Sequence, residues 1–119
     1  MSHNNRSGEK GTAAETVVMA FLRDNGYPTA ERRRLAGRND RGDVAGIPGL
    51  VIEIKNRQEM ALAEWVDEAR EEALRNGGSG EFDSGVVWHK RRGKSSPGDW
   101  YVTMDGWTFL AFLKEWTNG

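Results

Sequence analysis

Asp43, Glu53 and Lys55 are the residues of this chain whose types and spacing fit chemistry on a charged substrate. Two apolar runs, 44–47 and 50–54, flank Pro48-Gly49, the signal of a turn between two strands. With Pro48 at the centre of a hairpin, Asp43 opposes Glu53 and Arg41 opposes Lys55. Directly opposed side chains share a face, with Cβ atoms about 4.5–5.5 Å apart. Glu53 and Lys55, two apart on one strand, share that face too, while Leu50, Ile52 and Ile54 take the other. Two facing carboxylates repel unless a cation lies between them. Mg²⁺ takes hard oxygen ligands and keeps several waters, and the carbonyl of Ile54 offers one more oxygen. Lys55 then stands where it can hold a water or a phosphate oxygen. The plainer alternative is a solvated strand face, with Lys55 in an ion pair worth about 0–1 kcal/mol.

The elements that must position these residues follow from periodicity. Residues 12–25 are predicted as a helix with the stripe Val17, Val18, Phe21 and Leu22, stopped by Gly26. Glu15 sits at the edge of that stripe. Thr12-Ala13-Ala14-Glu15 also has the spacing of a capping box, in which Glu15 reaches back to the Thr12 amide. Residues 27–36 read as a strand with Arg32 and Arg34 on one side and Arg33 on the other. The loop after it adds Arg38 and Arg41 before Asp43. This run is either a solvated edge or a row of phosphate contacts.

Beyond the hairpin, Gln58 is placed either to orient a water or substrate or to begin a helix. A helix over 61–75 presents Leu62, Trp65, Val66, Ala69 and Ala73, with its acidic residues opposite and turned to solvent. A strand over 84–92 puts Val86 and Trp88 on one face and Val87 and His89 on the other. His89 has three readings: a structural residue, a phosphate donor or a proton shuttle. The end of that strand carries Lys90, Arg91 and Arg92, and a basic turn over 93–98, with Lys94, leads into a short strand over 100–104. Asp105 can cap a last helix, 106–116. Trp107, Phe109, Leu110, Phe112, Leu113 and Trp116 surround that helix more widely than one core contact requires, which suggests a partner surface or deep burial.

Asp, nine residues, then Glu-x-Lys resembles the metal-binding signature of the PD-(D/E)XK, or restriction-endonuclease-like, nucleases. The setting is similar to archaeal-type Holliday-junction resolvases, a branch also found in phages. It comprises Gly8-Glu9-Lys10-Gly11, a helix with Glu15, Gly26-Tyr27, a basic strand, Gly42-Asp43, and Glu53-Ile54-Lys55. The likeness spans residues 10–56, and the remainder by element order. Gly42 stands where the superfamily's name has proline, and the loop before Asp43 has Asn39 and no serine. The resemblance implies an α/β fold, a restriction-endonuclease-like core with a central mixed five-stranded sheet flanked by helices. It implies a Mg²⁺-dependent endonuclease, with Mn²⁺ as the other candidate ion. Asp43, Glu53 and Glu15 would hold metal and Lys55 would act on the water. Lys10, Arg32, Arg33, Arg34, Arg38, Arg41, His89, Lys90, Arg91, Arg92 and Lys94 would meet DNA. It further implies a homodimer cutting a four-way junction. A repair or restriction-type nuclease on duplex DNA shares these residues, and a non-catalytic DNA-binding module would use the arginines alone.

Composition bounds these readings. At 119 residues the chain suits one domain, 8–119, behind a polar arm, 1–7, that is expected to be flexible. The absence of cysteine removes disulfides, thiolate catalysis and sulfur-ligated zinc or iron. With no leader and no long apolar run, the expectation is a cytoplasmic protein, in the host cytoplasm if phage-encoded, with neither membrane nor small-molecule cofactor. The net charge of −1 conceals two basic strips offset by one acidic helix.

Overall fold

Helix α1, Ser2–Asp24, buries Ala14, Val18 and Leu22 at helical spacing, with Met19 beside them. It ends in a glycine cap: Gly26 takes φ +101°, and the Tyr27 amide donates to the Leu22 carbonyl at 3.0 Å. A left-handed residue at this point turns the chain while satisfying a carbonyl that the helix leaves open. The computed structural model describes residues 2–32, 44–45, 49–76 and 84–118.

Two expectations about α1 change. Residues 2–7, expected as a flexible arm, are helical, and the helix begins at Ser2 rather than near Thr12. Once a helix is nucleated, each further residue adds a hydrogen bond, so an anchored apolar segment can extend into a polar one. Thr12 therefore lies inside the helix, where its carbonyl accepts from Thr16 Oγ1 at 2.9 Å. An interior residue is not an N-cap, so the capping-box reading of Glu15 falls.

After a turn in which the Ala30 amide donates to the Tyr27 carbonyl at 3.1 Å, β1, Glu31–Arg32, pairs antiparallel with β2, Val44–Ala45. Gly49, at φ +82°, has the conformation that the second position of a Pro-Gly turn requires. Strand β3, Leu50–Lys55, follows, then helix α2, Leu62–Asn76. Strand β4, Ser84–His89, lies parallel to β3, and β5, Tyr101–Met104, lies antiparallel to β4 after a 3₁₀ turn at Pro97–Asp99. The fold is thus α/β. Its described strands form a three-stranded mixed sheet, β3-β4-β5, and a two-stranded ribbon, β1-β2. Among the described residues β2 pairs with β1, not with β3 as the hairpin register requires.

The sheet is covered on both faces. Ile52, Ile54 and Val86 pack with Ala14, Val18, Met19 and Leu22 of α1, and Trp100 closes that cluster. Phe21 meets Trp88 edge-on at 5.9 Å. On the other face Val87 packs against Trp65 and Ala69 of α2. A Cβ built at Gly85 would lie 2.3 Å from the Ala69 carbonyl oxygen, so α2 rests on β4 through backbone atoms.

Helix α3, Gly106–Asn118, is capped as expected: the Thr108 amide donates to Asp105 Oδ1 at 2.8 Å. Burial alone would raise the Asp105 carboxyl. The Thr108 bonds and the guanidinium of Arg70, 2.9 Å from Oδ2, outweigh that and hold it below its ordinary value. Thr108 is the buried residue of α3, and its hydroxyl accepts from the Gly85 amide at 3.4 Å. The aromatic residues of α3 are exposed, not buried within the protomer. No helix among the described residues is long and apolar enough to cross a membrane.

Candidate functional site

Register across the sheet assembles the site. Lys55 is opposite His89, and His89 is opposite Tyr101, so three strands place these residues in one row. The row before it is Glu53, Val87 and Thr103. Because Val87 packs against α2, both rows face α2.

Glu53 is a charged residue in the interior, 8% exposed, in the middle of β3. Lys55 ends the strand half-buried, with Nζ 3.8 Å from Glu68 Oε2 and 5.9 Å from the centroid of the Trp65 ring. At 3.8 Å the pair is a long ion contact rather than a hydrogen bond. Glu68 was expected on a face turned to solvent. One carboxylate of α2 nevertheless reaches the site, because it follows Trp65 by one helical turn. That spacing was present in the sequence, but only the crossover from β3 to β4 brings α2 over Lys55.

The Lys90 amide donates to the Lys55 carbonyl at 2.9 Å, continuing the parallel pairing past the end of β4. This bond sets the basic turn beside Lys55. The Lys94 amide closes the turn onto the Arg91 carbonyl at 3.2 Å, with Gly93 at φ +78°. Trp100 Nε1 donates to the Lys94 carbonyl at 2.8 Å and fixes the far side. Lys90, Arg92 and Lys94 point their charges to solvent, while Arg91 is half-buried.

His89, expected among the DNA contacts, is only 5% exposed. Its Nε2 lies 2.8 Å from Thr103 Oγ1, and its ring sits between Trp65 and Tyr101 at centroid distances of 6.4 and 6.1 Å. Burial pushes its pKa below the ordinary value. Near neutral pH the ring is uncharged, so it offers no cation to a phosphate; it forms the floor of the site.

Glu15 lies on α1, which packs on the Ile52 and Ile54 face of the sheet, opposite the face that carries Glu53. Arg32 Nε lies 2.7 Å from Glu15 Oε1. Arg32, read as a phosphate contact, is therefore committed in part to a carboxylate. Gln58 is exposed and borders a cavity of about 570 Å³ at the ends of β3 and β4. Arg57, Met60 and Tyr101 also line it, and none of these three was singled out from the sequence. Asp43, Arg33, Arg34, Arg38, Arg41 and the side chain of Lys10 lie outside the described residues. Among the described residues no group of three histidine, aspartate or glutamate side chains is placed to hold a metal. No family model, curated protein or solved structure matches this chain.

Proposed function

We propose that the chain is a metal-dependent nuclease with a restriction-endonuclease-like core, hydrolysing DNA phosphodiesters and acting on four-way junctions as a homodimer. The observation that carries this reading is the placement of buried Glu53 and of Lys55 on one face of β3, with the Lys90–Lys94 turn bonded to the end of the strand. The order of helix, three strands, helix and strand from α1 to β4 supports the same core. In the finer arrangement proposed, the β1–β2 ribbon continues β3 into a five-stranded sheet.

The donor chemistry fits a hard divalent ion. Glu53 offers carboxylate oxygens in an interior position, and Asp43, with Glu15 from α1, would complete the set for Mg²⁺ or Mn²⁺. Such an ion, when bound, supplies Lewis-acid stabilisation of charge developing on the phosphate. Lys55 holds the attacking water or a phosphate oxygen with its ammonium. The water oxygen forms a bond to phosphorus as the bond to the leaving deoxyribose oxygen breaks, the water giving up a proton to solvent and the leaving oxygen taking one from it. The cations of the 90–94 turn neutralise flanking phosphates and fix the strand in register.

The test is Mg²⁺-dependent cleavage of a synthetic four-way junction compared with its linear arms. Preferential cutting of the junction, abolished in Asp43→Asn and Glu53→Gln, is the expected result. Equal cutting of the arms would indicate a repair or restriction-type nuclease. The Glu15–Arg32 pair favours a second reading, a non-catalytic DNA-binding module, since a carboxylate matched to a guanidinium needs no metal. Tight, salt-dependent binding with no cleavage in Mg²⁺ or Mn²⁺ would decide for that module.

A further inference from the structure

The cavity beside Lys55 has features that a duplex backbone does not need. Its cations, Arg57, Lys90, Arg91 and Arg92, suit phosphate, but Tyr101 and Met60 also line it, each 56% exposed. Leaving a phenol ring and a thioether in water costs hydrophobic free energy that burial would recover. Arg91 adds a constructed element: its guanidinium lies 4.4 Å from the centroid of the Tyr101 ring, and Nη1 donates to the Asp99 carbonyl at 2.8 Å. The guanidinium thus has two partners, the ring face and a backbone carbonyl.

In an intact duplex the bases are stacked and paired, and only sugar and phosphate face such a hole. Unpaired nucleotides differ, because their bases can stack on aromatic rings or on guanidinium planes. The volume, about 570 Å³, falls within the range of about 300–1,000 Å³ common to sites for small organic groups. Tyr101 lies two strands from Lys55 in the same row, or about 10 Å at the usual strand spacing of about 4.8 Å. The open ends of parallel strands are also where α/β sheets most often bind ligands.

We propose that this cavity is a subsite for one unpaired nucleotide of the DNA strand, its base on the Tyr101–Arg91 platform and its phosphate among the cations. The inference rests on the nuclease reading for its macromolecule and deepens it. The preferred substrate has unpaired nucleotides next to the phosphate presented to Lys55, as at a flap, an overhang or a branch point whose pairs have opened.

The experiment measures binding by fluorescence anisotropy with the full chain in EDTA, so that cleavage plays no part. The probes are a blunt duplex and the same duplex with a short single-stranded overhang carrying 2-aminopurine. The wild-type chain is expected to bind the overhang duplex at least about fivefold more tightly, with 2-aminopurine emission quenched by stacking. Tyr101→Ala should abolish both the preference and the quenching, and Tyr101→Phe should keep them. Met60→Glu, at an exposed position, should weaken the overhang preference and guards against misfolding of the alanine variant. Equal affinity of the wild-type chain for the two probes would overturn the subsite, as would an unchanged preference in Tyr101→Ala. The nuclease reading would survive either result provided that Mg²⁺-dependent cutting is seen. Failure to bind any DNA would remove both.

Discussion

Arg32 Nε meets Glu15 Oε1 at 2.7 Å, joining β1 to α1 across 17 residues of chain. This contact gives Glu15 a partner without a metal, and it separates two roles by experiment. If Glu15 serves the metal site, Glu15→Gln lowers Mg²⁺-dependent cleavage at least about tenfold, while Arg32→Ala has a much smaller effect. If the pair is structural, both variants lose similar stability, about 1 kcal/mol or less for a partly exposed ion pair. Cleavage rates and thermal melts of the two variants, compared side by side, decide between the roles.

The basic turn makes a prediction about salt. Each phosphate neutralised contributes a slope of about −0.9 to log affinity against log salt concentration. Replacing Arg92 or Lys90 by alanine should flatten that slope by about one unit where the side chain meets phosphate. His89→Gln should leave the slope unchanged, since the buried ring is neutral. A slope that none of these variants moves would place the DNA elsewhere on the protein.

Acid should destabilise the fold through two groups. The folded pKa of His89 lies below its unfolded value, so neutral His89 favours folding above the unfolded pKa of about 6.5. That contribution is lost as the pH falls from there toward the folded value. Asp105 is also depressed in the fold, and its contribution fades below the unfolded value of about 3.9. Urea midpoints measured from pH 8 to pH 3 are expected to fall in two steps. The variant His89→Gln should lack the upper step and Asp105→Asn the lower. A midpoint flat down to pH 5 in the wild-type chain would contradict the first assignment.

Helix α3 predicts association. Trp107 and Trp116 are 70% and 86% exposed, and Phe109, Leu110, Phe112 and Leu113 are all solvent-facing. The helix is tied to the sheet at its start, by Asp105 and Thr108, so its apolar surface remains available to a partner. A second copy is the simplest partner, because two-fold dimers are the commonest assemblies and aromatic residues favour interface cores. Light scattering should report a dimer at micromolar concentration, and Phe112→Glu or Trp116→Glu should shift it to monomer without unfolding it. A monomeric wild-type chain, with or without junction DNA, would remove the dimer.

Much of the local structure was legible because periodicity reports which face a residue occupies. Val18 and Leu22 of the α1 stripe and the stop at Gly26, the stripe of α2 through Trp65 and Ala69, and the alternation of Val86 and Trp88 against Val87 and His89 all follow from spacing alone, whereas Val17, placed in the α1 stripe, is exposed. Asp105 as a cap was legible for a similar reason, since the cap bond spans three residues. Partners at long range were not legible. Period two placed Glu53 and Lys55 together, yet nothing local states that His89 and Tyr101 complete their row, because that depends on the parallel pairing of β3 with β4. The pairing of β2 with β1 was missed for the same reason: a turn signal at Pro48-Gly49 predicts a reversal, not which strand is reached. The long start of α1 was missed because a polar segment has no stripe, although an anchored neighbour can propagate helix into it.

Gly85 carries a mechanical consequence. Side chains can change rotamer to absorb a displacement, but the Gly85 backbone and the Ala69 carbonyl have no such freedom. Their contact works as a hard stop that sets the height of α2 above the sheet. Trp65 and Glu68 belong to that same rigid rod, so the surroundings of Lys55 inherit their tolerance from a point roughly one helical turn away. Even a single methyl at Gly85 would lift the rod, and the first distances to lengthen would be those from Lys55 to Trp65 and Glu68.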